Sequence, residues 1–342
     1  MRAIKLTGPR KLEMADVETP EKDGEQVLMK ISACGICGSD IHYYDIGVGM
    51  DSLPGLIMGH EFFGTVEDPG SRTDISVGDR ITALPLNPCG TCDTCTNGLS
   101  HICLQGMKRP VPGNSSQGAF AEYIKIRPDM VRKLPDTLSD KEAILIEPAA
   151  VALHAVRKAN IGVGNRVLIT GGGPIGLLCA AWARINGASS IVLTEVDPFR
   201  KTFASETGDV DEVFDAGDPD LSRILKKFSK GGFDVAMETS ANDAGLLTAV
   251  SALKSKGRLV IAGINFKLQK VPTLLMTIKE LECHGAFAYH PQEFDAAIDF
   301  LAKKRLQIEK LITRVIALDE VPEMFETMTK GPSEDIKIMI QP

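Results

Sequence analysis

The feature that most constrains the fold is a glycine-rich turn, GGGPIG at 171–176, set between a strand-like run, RVLIT, and an apolar helix-like run, PIGLLCAAWARING. Strand, G-x-G-x-x-G and helix in that order make a dinucleotide-binding β-α-β unit. Gly171 permits the tight turn, Gly173 lets the backbone approach a pyrophosphate, and Gly176 lets helix and strand pack closely. The helix start also offers free N–H groups and a positive dipole end to the phosphates. Glu195 stands 19 residues beyond Gly176, at the end of the next strand-like run, SIVLTEV. A carboxylate there accepts hydrogen bonds from adenosine ribose hydroxyls and repels a 2′-phosphate, so NAD is expected over NADP. Arg200, five residues on, can stack on adenine or attract a phosphate.

The alternation continues through EVFD, LSRILKKFSK, FDVAMETS, AGLLTAVSAL, GRLVIAG and LECHGAF. Short apolar strands alternating with helices predict a doubly wound parallel sheet of the Rossmann type, hence an α/β class. The first part of the chain reads differently. VLMKISA, FFGTVED, RITALPL and AFAEYIKI, with frequent Gly and Pro, predict a β-rich unit with long loops. The texture changes at about Glu147, where EPAAVALHAVRKA opens a helix with Pro148 in its first turn. The expected division is a β-rich catalytic domain over 1–148, a dinucleotide-binding domain over 149–286, and a return to the catalytic domain over 287–342. A length of 342 residues suits two domains with a core each. With 38 Lys+Arg against 45 Asp+Glu and no basic block, nucleic acid and anionic membrane are not expected partners. No apolar run is long enough to span a bilayer, and the N-terminal segment lacks the apolar core of a signal peptide. A cytoplasmic location is therefore expected, where thiols stay reduced.

That expectation matters because six of eight cysteines fall in the first 103 residues. Cys89, Cys92, Cys95 and Cys103, spaced C-x2-C-x2-C-x7-C in a loop rich in Gly, Thr and Asn, fit tetrahedral zinc. Four thiolates leave no open position, so that site is expected to be structural. A disulfide pair or an iron–sulfur cluster is the alternative; a reducing compartment argues against the first and the spacing against the second. Cys37 followed by Gly59-His60-Glu61 offers a thiolate, an imidazole and a carboxylate, which leave one zinc position open for a substrate oxygen. Glu147 is a second candidate oxygen ligand. Asp40 is the candidate acceptor for the free ring nitrogen of His60. Cys34, Cys179 and Cys283 are read as core residues. Lys108 and Arg109, in the loop after the cysteines, are read as solvated, with contact to an anionic substrate as the alternative.

The runs GICGSDIHYY, GHE, C-x2-C-x2-C-x7-C, GAFAEY, IEP and GGGPIG, in that order along the chain, resemble the zinc-dependent medium-chain alcohol dehydrogenases. The likeness is greatest to their sorbitol-type (polyol) and butanediol branches. The resemblance implies a GroES-like catalytic domain beside the Rossmann sheet and two zinc ions per chain. Cys37, His60 and Glu61 match catalytic zinc ligands, and Glu147 matches a residue that contacts this zinc directly or through water. Ser39 and His42 match a hydroxyl–imidazole proton relay. Tyr43 and Tyr289 are candidate substrate contacts. Pro174, Ile175, Ile264 and Phe287 join the glycines, Glu195 and Arg200 as expected cofactor contacts. The implied reaction is oxidation of a secondary alcohol in a polyol, the metal acidifying the hydroxyl and hydride passing to nicotinamide. The alternatives are a small vicinal diol of the butanediol/acetoin type, or a catalytically idle dinucleotide-binding relative. Sorbitol-type enzymes usually carry arginine where this chain has Ala288, which weakens the sorbitol assignment. A homodimer or homotetramer, joined through the edge strand near LECHGAF, is also implied.

Overall fold

The computed structural model describes residues 1–49, 53–331 and 334–342. The chain separates into two units, one formed by Met1–Glu147 with His290–Pro342 and the other by Pro148–Tyr289. The junctions fall one residue before the expected first boundary and three residues after the expected second.

In chain order the first unit contributes β1 (Arg2–Gly8), β2 (Lys11–Asp16), β3 (Val27–Gly35), α1 (Gly38–Ile46), β4 (Leu56–Ile57), β5 (Glu61–Asp68) and β6 (Arg80–Ala83). Next come α2 (Asp93–Thr96), β7 (Tyr123–Ile126), β8 (Val131–Lys133), α3 (Asp140–Ile144) and the start of α4 (Ile146–Ala159). The second unit holds β9 (Arg166–Thr170), α5 (Pro174–Ile185), β10 (Ser190–Glu195), α6 (Pro198–Glu206), β11 (Glu212–Asp215) and α7 (Leu221–Ser229). It continues with β12 (Phe233–Glu238), α8 (Asp243–Ala252), β13 (Leu253–Ile261), α9 (Thr273–Ile278) and β14 (Glu282–Gly285). The chain returns through α10 (Pro291–Ala302), β15 (Ile312–Ala317), α11 (Val321–Lys330) and β16 (Lys337–Gln341).

The first unit has a small sheet ordered β2-β1-β4 and a seven-stranded one ordered β15-β16-β3-β5-β6-β8, with β7 also paired to β3. Strand β3 is the organising element: β16 and β5 flank it, both antiparallel. Its burial is nearly continuous because sheet and core cover both faces. Edge-on ring contacts of Phe325 with Tyr44 (5.3 Å) and Phe120 (6.1 Å) tie the returning α11 into the core of the N-terminal strands. The RITALPL run stops being a strand at Ala83, two residues before Pro85, which has no N–H for a ladder.

The second unit is a six-stranded parallel sheet ordered β11-β10-β9-β12-β13-β14. Chain direction across the sheet reverses between β9 and β12, the switch point where such sheets bind ligands at their carboxyl ends. Val167, Leu168 and Ile169 on β9 are fully buried. The turn after β9 works as the sequence reading requires: Gly171 has φ 106°, and a Cβ on Gly176 would lie 2.0 Å from the Gly171 carbonyl oxygen. Cys179 is buried in α5 as expected, but Cys283 is exposed and not a core residue. It lies on β14, the outermost strand, whose residues are mostly exposed.

Candidate metal and dinucleotide sites

The four lobe cysteines converge. Cys89 and Cys95 sulfurs lie 3.9 Å apart, and those of Cys92 and Cys103 lie 3.7 Å apart. A tetrahedron with Zn–S bonds of about 2.3 Å has edges of about 3.8 Å, so these are metal-cage spacings and far too long for disulfides. Backbone N–H groups of Cys89 and Gln105 donate to the Cys103 sulfur, and that of Cys92 donates to Cys89. The Thr94 hydroxyl beside Cys92 and a backbone N–H hold the Cys92 thiol down to about 5, whereas desolvation pushes Cys95 up to about 12. Between Cys89 and Gly106, only His101 and Cys103 are buried among the described residues. The lobe has no apolar core, and the donor set fits the metal that would replace one.

The second cluster follows from strand register. Gly35, the last residue of β3, pairs with Glu61, the first residue of β5. Cys37 comes two residues after the one, and His60 one residue before the other. The donor atoms of Cys37, His60 and Glu61 accordingly lie within 4.8 Å of one another. Cys37 is the N-cap of α1, and its N–H donates to Asp40 Oδ2 at 2.9 Å. The other Asp40 oxygen lies 3.7 Å from His60 Nδ1; both atoms are buried and have no hydrogen-bond partner among the described residues. Burial opposes a charge on His60, yet Asp40 and Cys37 outweigh it and raise the imidazole well above its ordinary value. The thiolate, imidazole and carboxylate gathered within 4.8 Å are a donor set that fits a divalent metal.

Ser39 and His42, three residues apart on α1, share a helix face and are half-buried. Tyr43 is buried, and desolvation pushes its phenol up to about 12 although His60 acts in the opposite direction. Glu147, second residue of α4, lies outside the three-donor grouping. Cys34 lies fully buried, and desolvation, with the charges of Asp40 and Glu61, holds its thiol well above the ordinary value. Arg109 is anchored, its Nε donating to the backbone oxygen and Oδ1 of Asn87 at 3.0 Å.

One residue of this neighbourhood was not anticipated. Lys337, on β16, is 3% exposed and its ammonium pairs with Oε2 of Glu61, itself 1% exposed. Burial pulls the ammonium pKa down, but Glu61 and Cys37 outweigh it and leave the group above its usual value. The available signal was the single charge inside the strand-like run IKIMIQ.

In the second unit, Gly173 is the N-cap of the twelve-residue α5 and Pro174 follows at its first position. The cap makes no side-chain hydrogen bond, so the N–H groups at that end are available to an anion. Glu195 Oε2 accepts from Gly172 N at 2.7 Å, and Oε1 accepts from Val196 N and Asp197 N at 2.7 and 3.0 Å. The carboxylate is thereby fixed beside the turn. The Arg200 guanidinium lies 3.9 Å from where a Cβ on Gly173 would stand. Ile264 and Phe287 are about half exposed, whereas Tyr289 is buried. Ala288 holds a left-handed φ of 51°, unusual for a non-glycine residue. Sequence reasoning also missed Glu238, fully buried at the end of β12 beside the switch point. Its Oε1 accepts from Ser240 N, Ser240 Oγ and Ala241 N at 2.6–2.8 Å.

An alcohol dehydrogenase GroES-like domain family matches residues 23–136, and a zinc-binding dehydrogenase family matches residues 174–303. The chain is 32% identical over 349 positions to the sorbitol dehydrogenase of Bacillus subtilis (strain 168), covering 100% of this chain and 97% of that protein. It is similar in structure to 2R,3R-butanediol dehydrogenase from Bacillus subtilis, with a TM-score of 0.88, 29% identity, and 100% and 99% of the two chains covered. A protein of Sinorhizobium meliloti 1021 described as a zinc-binding dehydrogenase and bound to NADP matches with a TM-score of 0.89, 29% identity, and 100% and 99% coverage.

Proposed function

The chain belongs to the zinc-dependent medium-chain alcohol dehydrogenases, in the branch that holds sorbitol and butanediol dehydrogenases, and from that premise we propose that it reversibly oxidises a secondary alcohol of a polyol to the ketone with NAD. The observation that carries the site assignment is the β3–β5 register, which gathers donor atoms of Cys37, His60 and Glu61 within 4.8 Å. Zinc held by these three residues would supply Lewis acidity to an alcohol hydroxyl, and a bound nicotinamide would accept the hydride. Glu61, inside that grouping, is assigned as the third ligand in preference to Glu147. Asp40 Oδ1, 3.7 Å from His60 Nδ1, favours the proton on that nitrogen, which would leave Nε2 as the donor. The Ser39 hydroxyl would take the substrate proton, and the cofactor ribose and His42 would pass it on to solvent. Tyr43 walls the site. Cys89, Cys92, Cys95 and Cys103 hold a second, structural zinc.

In the second unit the N–H groups at the start of α5 would hold a pyrophosphate and Glu195 an adenosine ribose, which favours NAD. A second reading, a small vicinal diol as substrate, is favoured by Ala288, which offers no guanidinium to a polyol hydroxyl, and by the likeness to butanediol dehydrogenase. The open side of edge strand β14 and the exposed Leu274 and Ile278 of α9 support assembly into a homodimer or homotetramer. The test is reduction of NAD and of NADP by zinc-loaded protein across sorbitol, xylitol, sugar-alcohol phosphates, 2,3-butanediol and threonine. Turnover of sorbitol or xylitol with NAD is expected. Turnover confined to butanediol supports the second reading, and no turnover of any secondary alcohol refutes both.

A further inference from the structure

Lys337 and Glu61 form a pair buried far more deeply than strand adhesion needs, with side chains 3% and 1% exposed. Taking two charges out of water is costly, and apolar residues of similar volume hold a strand at least as well. The surroundings give the pair another use. β3 lies between β5 and β16: Gly35 pairs with Glu61 on one side and with Met339, two residues beyond Lys337, on the other. A Cβ on Gly35 would fall 2.4 Å from Glu61 Oε2 and 3.1 Å from Lys337 Cε, so only glycine leaves the passage through which the ammonium reaches the carboxylate. Glu61 therefore belongs to two groupings, the donors with Cys37 and His60 and the pair with Lys337.

We propose that Lys337 is a positioning residue that occupies Oε2 of Glu61 and so restricts this carboxylate to a single oxygen donor at the metal. The inference rests on the assignment of Cys37, His60 and Glu61 as metal ligands. Its chemistry is a matter of counting donors. Thiolate, imidazole and one carboxylate oxygen make three and leave a tetrahedral position for the substrate hydroxyl. A bidentate Glu61 makes four and closes that position. An ammonium on Oε2 also draws charge from the carboxylate, which leaves the metal a stronger Lewis acid toward substrate.

The experiment uses holoenzyme with cobalt(II) exchanged into the Cys37–His60–Glu61 site, its d–d absorption recorded during titration with imidazole as a probe for the open position. In Lys337→Met, Oε2 is released to the metal. The bands are expected to shift as a carboxylate oxygen takes the place of solvent at the open position, and imidazole affinity to fall by about tenfold, the scale of ligand-partner mutations. Lys337→Arg, which keeps a cation on Oε2, is expected to restore both readings. A merely structural pair predicts lower thermal stability with unchanged bands and unchanged imidazole affinity, and that result overturns the proposal. Should the methionine variant not fold, Lys337→Gln, which keeps a weaker donor, is expected to shift both readings in the same direction by a smaller amount; unchanged readings again overturn it. A wild-type cobalt enzyme without any imidazole-sensitive band refutes the ligand assignment itself. A responsive wild type with an unresponsive variant refutes only the role of Lys337.

Discussion

Replacing Asp40 separates two jobs that one buried carboxylate performs. Its Oδ2 accepts the Cys37 N–H at 2.9 Å and so caps α1, while its Oδ1 faces His60 Nδ1 at 3.7 Å. Asp40→Asn keeps an oxygen for the cap and removes the charge facing the imidazole; Asp40→Ala removes both. Unit charges at that separation attract by roughly 4 kcal/mol at an effective dielectric of about 20. A metal-bound imidazole carries only part of a charge, so the lower end of the usual range applies, about tenfold in metal affinity or about 1.4 kcal/mol. Losing the cap adds about 1 kcal/mol of folding stability to the cost of the alanine variant. The assay is competition for zinc against a graded chelator, paired with denaturant unfolding of the metal-free proteins. The asparagine variant is expected to bind zinc about tenfold more weakly at near-normal metal-free stability. Wild-type zinc affinity in Asp40→Asn would refute the reasoning, because Asp40 would then act through the fold alone.

Three further outcomes follow from other parts of the molecule. Removing the lobe metal with a chelator, or Cys103→Ser, should open the segment around residues 89–106 to protease, because structural zinc contributes about 10 kcal/mol or more and, among the described residues, only His101 and Cys103 are buried there; a lobe that stays resistant contradicts the assignment. Glu195→Ala should move the ratio of NAD to NADP kcat/KM toward NADP by about tenfold and lower thermal stability, since three backbone N–H groups lose their acceptor; an unchanged ratio contradicts its ribose role. Glu238→Ala should cost about 3 kcal/mol in unfolding free energy, as it strands the N–H groups of Ser240 and Ala241 and the Ser240 hydroxyl; a loss below about 1 kcal/mol contradicts a buried anchoring role.

The parts legible in the sequence were those written in local spacing. The turn from Gly171 to Gly176 sits between one strand and one helix, and its steric demands act within six residues, so the motif and its surroundings agreed. The lobe cysteines lie within 15 residues of one another and needed no tertiary information to be grouped. Pairing across strands was not legible. Nothing near Cys37 states that Gly35 opposes Glu61, and nothing near Glu61 announces Lys337, 276 positions further along the chain. A lone lysine in an apolar run reads as an edge or surface residue until the neighbouring strand is known. Cys283 failed for the converse reason. Small apolar residues are expected inside, but β14 ends the sheet and leaves that position uncovered.

The central claim, that Cys37, His60 and Glu61 hold the metal on which dinucleotide-linked polyol oxidation depends, is tested most directly by metal analysis of wild type and Cys37→Ser, with turnover and NAD binding measured on the same samples. Two zinc ions are expected per wild-type chain and one in the variant, which should bind NAD normally and fail to reduce it with any polyol. A variant that keeps both metals, or one that turns over polyol at the wild-type rate, would contradict it.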